Sequence, residues 1–360
     1  MNSPPYTVVL IVPTGIGASI GGYAGDALPV ARAIAQVCDR LITHPNVLNG
    51  AQLYWRDPKI SYVEGYGLDK FAAGEWGLRP VHQNRVGLIL DRGIEDELRL
   101  RHLQAADATR ATLGLNLTDY TITDAPLEVE IRTTASGASW GTIGNPGSLL
   151  RAAEALITRA KAEAIAIVAR FPEEDETALA NYRQGKGVDP IAGAEAAISH
   201  LVVRQFQIPA AHAPALAPLP ADPQVSPRAC AEELGYTFLP CVLVGLSGAP
   251  QFLSARSTPP QPQDIWSDRV DAALIPATAC GGSAILSLCR NRTQIIAIED
   301  NRTQMQVPPE SLGIPALRVN SYLEALGAIV ANRAGIAHTS LSSQLPPIHS
   351  LSNPRDRSLS

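Results

Sequence analysis

Apolar residues in this chain fall into short, uninterrupted runs separated by turns marked with glycine and proline. YTVVLIV (6–12), VGLILD (86–91), AIAIVARF (164–171), VDAALIPA (270–277) and IIAIED (295–300) are the clearest. Short runs of this kind, rich in β-branched residues and without polar alternation, read as strands buried on both faces. Residues 40–47 read as a further strand. Between the runs the signals are helical. Asp26 and Pro29 place an N-cap and a first-turn proline on a helix over 27–38. Asn145-Pro146 opens a helix to about residue 161. Asp189-Pro190 opens another to about residue 204, with Ile191, Ile198, Leu201 and Val202 as its apolar stripe. CGGSAILSLC (280–289) is a loop leading into a helix, and Ser321 with Glu324 forms a capping box for a helix to about 333.

Buried strands joined through helices predict an α/β fold, with one or more largely parallel sheets flanked by helices. A length of 360 residues accommodates two α/β lobes with a site between them. The Pro/Ala-rich stretch 208–228 is the expected boundary. It divides an N-terminal lobe (1–207), which carries a Gly-rich loop, from a C-terminal lobe (208–340) and a flexible tail (341–360). SARSTPPQPQD (254–264) reads as a second mobile stretch.

Charge and composition narrow the function. A net charge of -5, no long Lys/Arg run and only 5% aromatic residues argue against a nucleic-acid partner. The N-terminus lacks a basic signal-peptide region, and no apolar stretch is long enough for a membrane span, so no membrane partner is expected. Five cysteines without a CxxC pair read as free thiols in a reducing, cytoplasmic setting. A homo-oligomer is compatible with all of this.

Five segments could carry chemistry. The first follows the first strand: Thr14, Gly15, Gly17, Ser19, Gly21 and Gly22 form a glycine loop whose backbone N–H groups could cradle a phosphate or carboxylate. Its GxGxxxGG spacing, with no acidic residue ending the second strand, argues against NAD. The second, Thr43-His44-Pro45-Asn46 with Asn49, Gly50 and Tyr54 beyond, offers His44 as an acid/base and Asn46 as a substrate contact. The third contains Asp189, Glu195, His200 and His212. Asp189 is explained as a helix cap, and Glu195 and His200, five apart, diverge on a helix. His212, in AHAP, is the better catalytic candidate. The fourth is Cys280-Gly281-Gly282-Ser283, where a helix N-terminus would lower the thiol pKa and glycine N–H groups could bind an oxyanion. The fifth, Asn301-Arg302, follows a strand end, where ligands of parallel sheets bind.

Several long blocks resemble the cyanobacterial and plant-plastid family termed domain of unknown function 3326. They include PTGIGASIGGYAGDA (13–27), LITHPNVLNGAQLYW (41–55), GVDPIAGAEAAISHLVV (187–203), AHAPAL (211–216), AEELGYTFLPCVLVGL (231–246), PATACGGSAIL (276–286) and NRTQ (301–304). The resemblance implies a cyanobacterial-type source and a cytoplasmic setting; it implies no activity and transfers no catalytic residue. From the residues alone, the leading expectation is a cofactor-free enzyme acting on an anionic small molecule: a hydrolase, lyase or isomerase with Cys280 beside the reacting carbon, for covalent catalysis or proton transfer, and His44 or His212 as acid/base. A metal-dependent hydrolase built on His200, His212, Asp189 and Glu195 is one alternative. A non-catalytic ligand-binding or assembly protein is the other.

Overall fold

The computed structural model describes residues 4–48, 57–172, 176–217, 219–234, 239–254, 259–345 and 347–348. Asn49, Gly50, Tyr54 and most of the expected tail lie outside these residues. The strands in chain order are β1 (Thr7–Leu10), β2 (Arg40–Thr43), β3 (Ile60–Tyr62), β4 (Trp76–Arg79), β5 (Val86–Leu90), β6 (Leu117–Ile122) and β7 (Val129–Thr133). They continue with β8 (Ser139–Ile143), β9 (Ala164–Arg170), β10 (Ala210–Ala215), β11 (Gln251–Ser254), β12 (Ala272–Pro276), β13 (Gln294–Ile298) and β14 (Ala316–Val319).

Two parallel sheets, flanked by helices, organise this α/β protein. The first has the order β14-β13-β12-β1-β2-β3, and the second β10-β9-β5-β6. Counted from β3, the first sheet runs third, second, first, fourth, fifth, sixth, the order of doubly wound nucleotide-binding sheets. The second sheet is inserted between its third and fourth strands. The expected division at residue 208 falls just ahead of β10, which pairs with β9 from Ala210 to Ala215.

Alternation along the strands explains the layers. Val8, Leu10, Leu274 and Ile296 face one core with the helices Leu28–Val37 and Tyr322–Arg333. Val9, Ile42, Ala273 and Ile295 face another core with the helices Gly65–Ala72 and Ser283–Leu288. The β1–β2 and β12–β13 connections therefore lie on opposite faces and lead in opposite directions along the sheet. This puts a switch point between β1 and β12, where open α/β sheets bind ligands. Both cores also contain residues of the second sheet, Leu88 and Val168 in one and Ile89 and Ile167 in the other.

Several local expectations are corrected. Asp26 does not cap its helix: Ala27 is the N-cap residue, without a side-chain bond, and the Asp26 carboxylate turns back to the Gly21 N–H and to Arg228 at 3.3 Å. Residues 40–47 are not one strand, because Pro45, which lacks an N–H, begins a short helix at Pro45–Leu48. Asn145 donates to the Pro126 carbonyl instead of capping with its side chain. Within 254–264, Asp264 is fixed by a two-pronged ion pair with Arg79, both contacts at 2.8 Å.

Candidate functional site

A cleft of about 850 Å³ opens where the two sheets meet. From the first sheet it receives Tyr23, beyond β1, and Asn46, beyond β2; from the second it receives Arg170 at the end of β9 and His212 within β10. The helix Ala192–Phe206 closes one side and contributes Glu195, with Asp189 in the turn before it. The volume is of the size that holds a metabolite.

Each of these groups has a clear local cause. Asp189 accepts the Ile191 N–H at 3.0 Å, one of the orphan donors of the helix start. Burial pushes its carboxyl up to about 6, because the charged form is poorly solvated. His212 lies on the β10 face that looks at the helix, where Ser199 Oγ is 3.1 Å from its Nδ1. Glu195, one helical turn before Ser199, brings its carboxylate 3.7 Å from Nε2. Burial, with a smaller effect from the nearby His200 charge, lowers the imidazole to about 3. His212 is therefore neutral at physiological pH. Tyr182 stacks on Tyr23 with ring centroids 4.7 Å apart, and its hydroxyl donates to the Gly22 carbonyl at 3.3 Å. Burial raises its pKa well above the usual phenol range, with the charges of Glu232 and Asp189 adding to the effect.

The glycine loop sits at the cleft's edge, and much of its backbone is engaged by the protein itself. Ser19 N–H donates to the Arg302 carbonyl at 2.9 Å, Ile20 N–H to Asn301 Oδ1 at 2.8 Å, and Gly21 N–H to Asp26. Those three donors are unavailable to an anion, which corrects the cradle expected over Ser19 and Gly21. Gly15 and Gly17 have positive φ of 69° and 64°. A Cβ at Gly15 would lie 2.6 Å from Ser139 Oγ, and one at Gly17 2.9 Å from the Gly187 carbonyl. Gly22 is equally confined, against the Ala18 carbonyl. The glycines let the loop pack between the β7–β8 hairpin and the 187–188 turn. Thr14 is partly buried within this packing.

The remaining residues separate into structural and peripheral positions. His44 is fully desolvated, its pKa lowered to about 4, and its Nε2 accepts the Val12 N–H at 2.9 Å. It anchors the loop start rather than serving as an acid/base. Cys280 is completely buried, and burial drives its thiol up to about 11. The lowered pKa expected there fails because its own N–H is bonded to the Val307 carbonyl and the helix starts only at Ser283. Gly281, Gly282, Ser283 and Arg302 are exposed, and none of them lines the cleft. Ser283 instead donates its side-chain hydrogen bond to Asp69, whose carboxyl is raised by burial. Asn301 is buried, bridging Ile20 and the Tyr322 hydroxyl.

His200 points away from the cleft and bonds Glu64 at 2.8 Å. Burial pulls its pKa down, but the Glu64 hydrogen bond and charge, with help from Asp69, outweigh that and raise it. It and His212 thus face different partners. Among the described residues, no group of three or more His, Cys, Asp or Glu side chains is placed to hold a metal ion. Sequence reasoning missed Tyr23, Tyr182 and Glu232. Tyr23 stands inside the glycine stretch, but no spacing links it to Tyr182, which arrives from 159 residues away.

No described helix is long and apolar enough to cross a membrane. No solved structure matches the chain. A relative from Synechococcus sp., named an uncharacterized lipoprotein, is 57% identical over 337 residues and covers 93% of each chain. A family model described as "Protein of unknown function (DUF3326)" matches residues 7–342. The chain therefore belongs to the DUF3326 family.

Proposed function

We propose that the protein is an enzyme performing proton transfer on a small organic molecule held in the cleft between the two sheets. The observation that carries this reading is the convergence of Asp189, Glu195 and His212 on one metabolite-sized cavity at the carboxyl ends of both parallel sheets. Burial raises the Asp189 carboxyl toward the range where it can exchange protons near neutral pH, so Asp189 serves as the acid/base. A neutral imidazole can orient or polarise a substrate without itself ionising, so His212 takes that role. Tyr23 and Tyr182 line the same cleft. Proton transfer of this kind belongs to isomerases and lyases. Cys280 has no part in it, being sealed in the core. The free cysteines support a reducing, cytoplasmic setting; the name of the Synechococcus relative is the competing indication.

The test is deuterium incorporation. The full chain is incubated in D2O with a cyanobacterial small-molecule extract, and masses are compared with a matched sample containing Asp189→Asn. The wild-type protein should label or convert at least one compound, and Asp189→Asn should slow that step by roughly 100-fold or more, the contribution of a positioned acid/base. Identical profiles for the two proteins would refute the reading.

A further inference from the structure

We infer that Ser199 is a positioning residue: its hydroxyl holds His212 as the tautomer protonated on Nε2, so that the cleft offers an N–H donor to a carbonyl oxygen of its substrate. This deepens the proton-transfer reading and rests on the cleft being the substrate site. Burial keeps the His212 imidazole neutral, so the ring carries a single proton. Which nitrogen holds that proton decides whether the ring gives or accepts a hydrogen bond in the cleft.

The surroundings of the ring decide it. Pairing of β10 with β9 fixes the His212 backbone opposite Ile167, and Ser199 Oγ stands 3.1 Å from Nδ1. Ser199 is sealed from solvent at 1% exposure, so its one hydroxyl proton goes to a protein acceptor. Two are in reach. One is Nδ1; the other is the Ala196 carbonyl at 3.3 Å, three residues earlier in the same helix and already part of its backbone ladder. With the proton on the Ala196 side, Nδ1 would carry the ring proton. Nε2 would then turn a lone pair toward the Glu195 carboxylate oxygen 3.7 Å away, acceptor against acceptor in a largely buried setting. With the proton on the Nδ1 side, Nε2–H faces that oxygen, and the polarity agrees on both sides of the ring. Only the direction of the Glu195 oxygen matters here; the carboxylate can hold other partners at the same time. At 3.7 Å the two atoms are too far apart for a hydrogen bond, so Nε2–H can turn to a substrate oxygen. Ser199, His212 and Glu195 do not form a hydrolase triad, in which the serine faces Nε2 and the carboxylate Nδ1. The order is reversed here and the serine is buried, so Ser199 orients rather than attacks. A carbonyl bound to Nε2–H is stabilised as negative charge moves onto its oxygen, when the adjacent carbon gives its proton to Asp189. The His212 proton stays on nitrogen throughout.

The experiment is a long-range proton–nitrogen correlation spectrum of the full chain carrying nitrogen-15 histidine, at pH 7.5. The His212 signals are identified by their loss in His212→Gln. The wild-type protein should show Nε2 protonated and Nδ1 unprotonated. In Ser199→Ala the Nδ1 signal should move downfield, as an acceptor nitrogen does on losing its donor. In Ser199→Thr, which keeps a hydroxyl, it should stay near the wild-type position; circular dichroism verifies the fold of each variant. A protonated Nδ1 in the wild-type protein overturns the inference without recourse to any variant. An Nδ1 signal unmoved by Ser199→Ala overturns the role of Ser199. In the D2O incubation, deuterium should enter at a carbon next to a carbonyl group, and labelling confined to compounds without one overturns the substrate class. The two readings fail separately. A protonated Nε2 without any labelling leaves the tautomer standing and removes the catalytic role. Labelling that depends on Asp189, with Nδ1 protonated, does the reverse.

Discussion

At the scale of single residues, the histidines show how burial assigns roles. His44 is a neutral acceptor holding the Val12 N–H, so protonating it would cost both the charge burial and that bond. Its folded pKa of about 4 lies below the unfolded value of 6.5. The unfolded chain therefore binds the extra proton between those two values. The stability this group contributes is complete above pH 6.5 and lost as the pH falls through the window, at about 1.4 kcal/mol per pH unit per proton. His212 acts with the same sign. Asp26 and Asp189, both raised to about 6 by burial, act oppositely, since their folded forms hold protons more tightly. His44→Gln keeps an acceptor for Val12 and removes one titrating group. Urea midpoints at pH 7, 6 and 5 should therefore fall less steeply in the variant, by about one proton's slope. A slope identical to wild type would mean that His44 is already protonated in the folded protein.

At the scale of elements, the glycines at the sheet junction are spacers. Gly193, at the start of the helix Ala192–Phe206, lies against the β8 backbone, and its N–H donates to Ser139 Oγ at 3.1 Å. A Cβ there would overlap Trp140 Cα and the Ser139 carbonyl. Gly282 has open space around its Cβ position and an ordinary backbone. Gly193→Ala should cost about 1–3 kcal/mol of unfolding free energy, the usual penalty of overpacking, and Gly282→Ala much less. Urea denaturation of the two variants makes the comparison, and equal stabilities would show that the hairpin yields freely.

The same elements explain what was legible. β1, β9 and β12 announced themselves because both faces are buried and the apolar run is continuous. The helix Asp96–Leu113 did not, since it buries only His102, Ala106 and Thr109 and so has no apolar stripe. The β7–β8 hairpin, half-buried to exposed apart from Val129, is equally silent. In the site, Asp189, Glu195 and Asn46 could be picked out because each stands near the start of a helix, and His212 because of its Pro-flanked AHAP setting, although it lies within β10. Their grouping could not, because it depends on how the inserted sheet docks. Cys280 misled for a local reason: its position in the sequence suggested a helix N-terminus, but the chain tucks it under Val307 before the helix begins.

At the scale of the whole molecule, the order of the first sheet makes the two ends of the chain interdependent. β1 lies between β2 and β12, with Val8 opposite Leu41 on one side and Ala272 on the other. The inserted sheet closes with β10, and the ion pair between Glu64 and His200 joins the region after β3 to the helix before β10. Cutting the chain at residue 208 would leave residues 1–207 with the first sheet reduced to β1–β3 and the second without β10. Residues 208–360 would keep β12–β14 with an unsatisfied edge beside β12, and such open apolar edges aggregate. The two fragments produced separately should be insoluble or unfolded, and co-expressed they should assemble into a soluble complex with the helix and strand content of the intact chain. Size-exclusion chromatography and circular dichroism distinguish the outcomes. A monomeric, cooperatively unfolding 1–207 fragment would instead mean that the lobes expected from the Pro/Ala-rich stretch are separable, and that the cores shared by both sheets are a consequence of docking rather than a condition for folding.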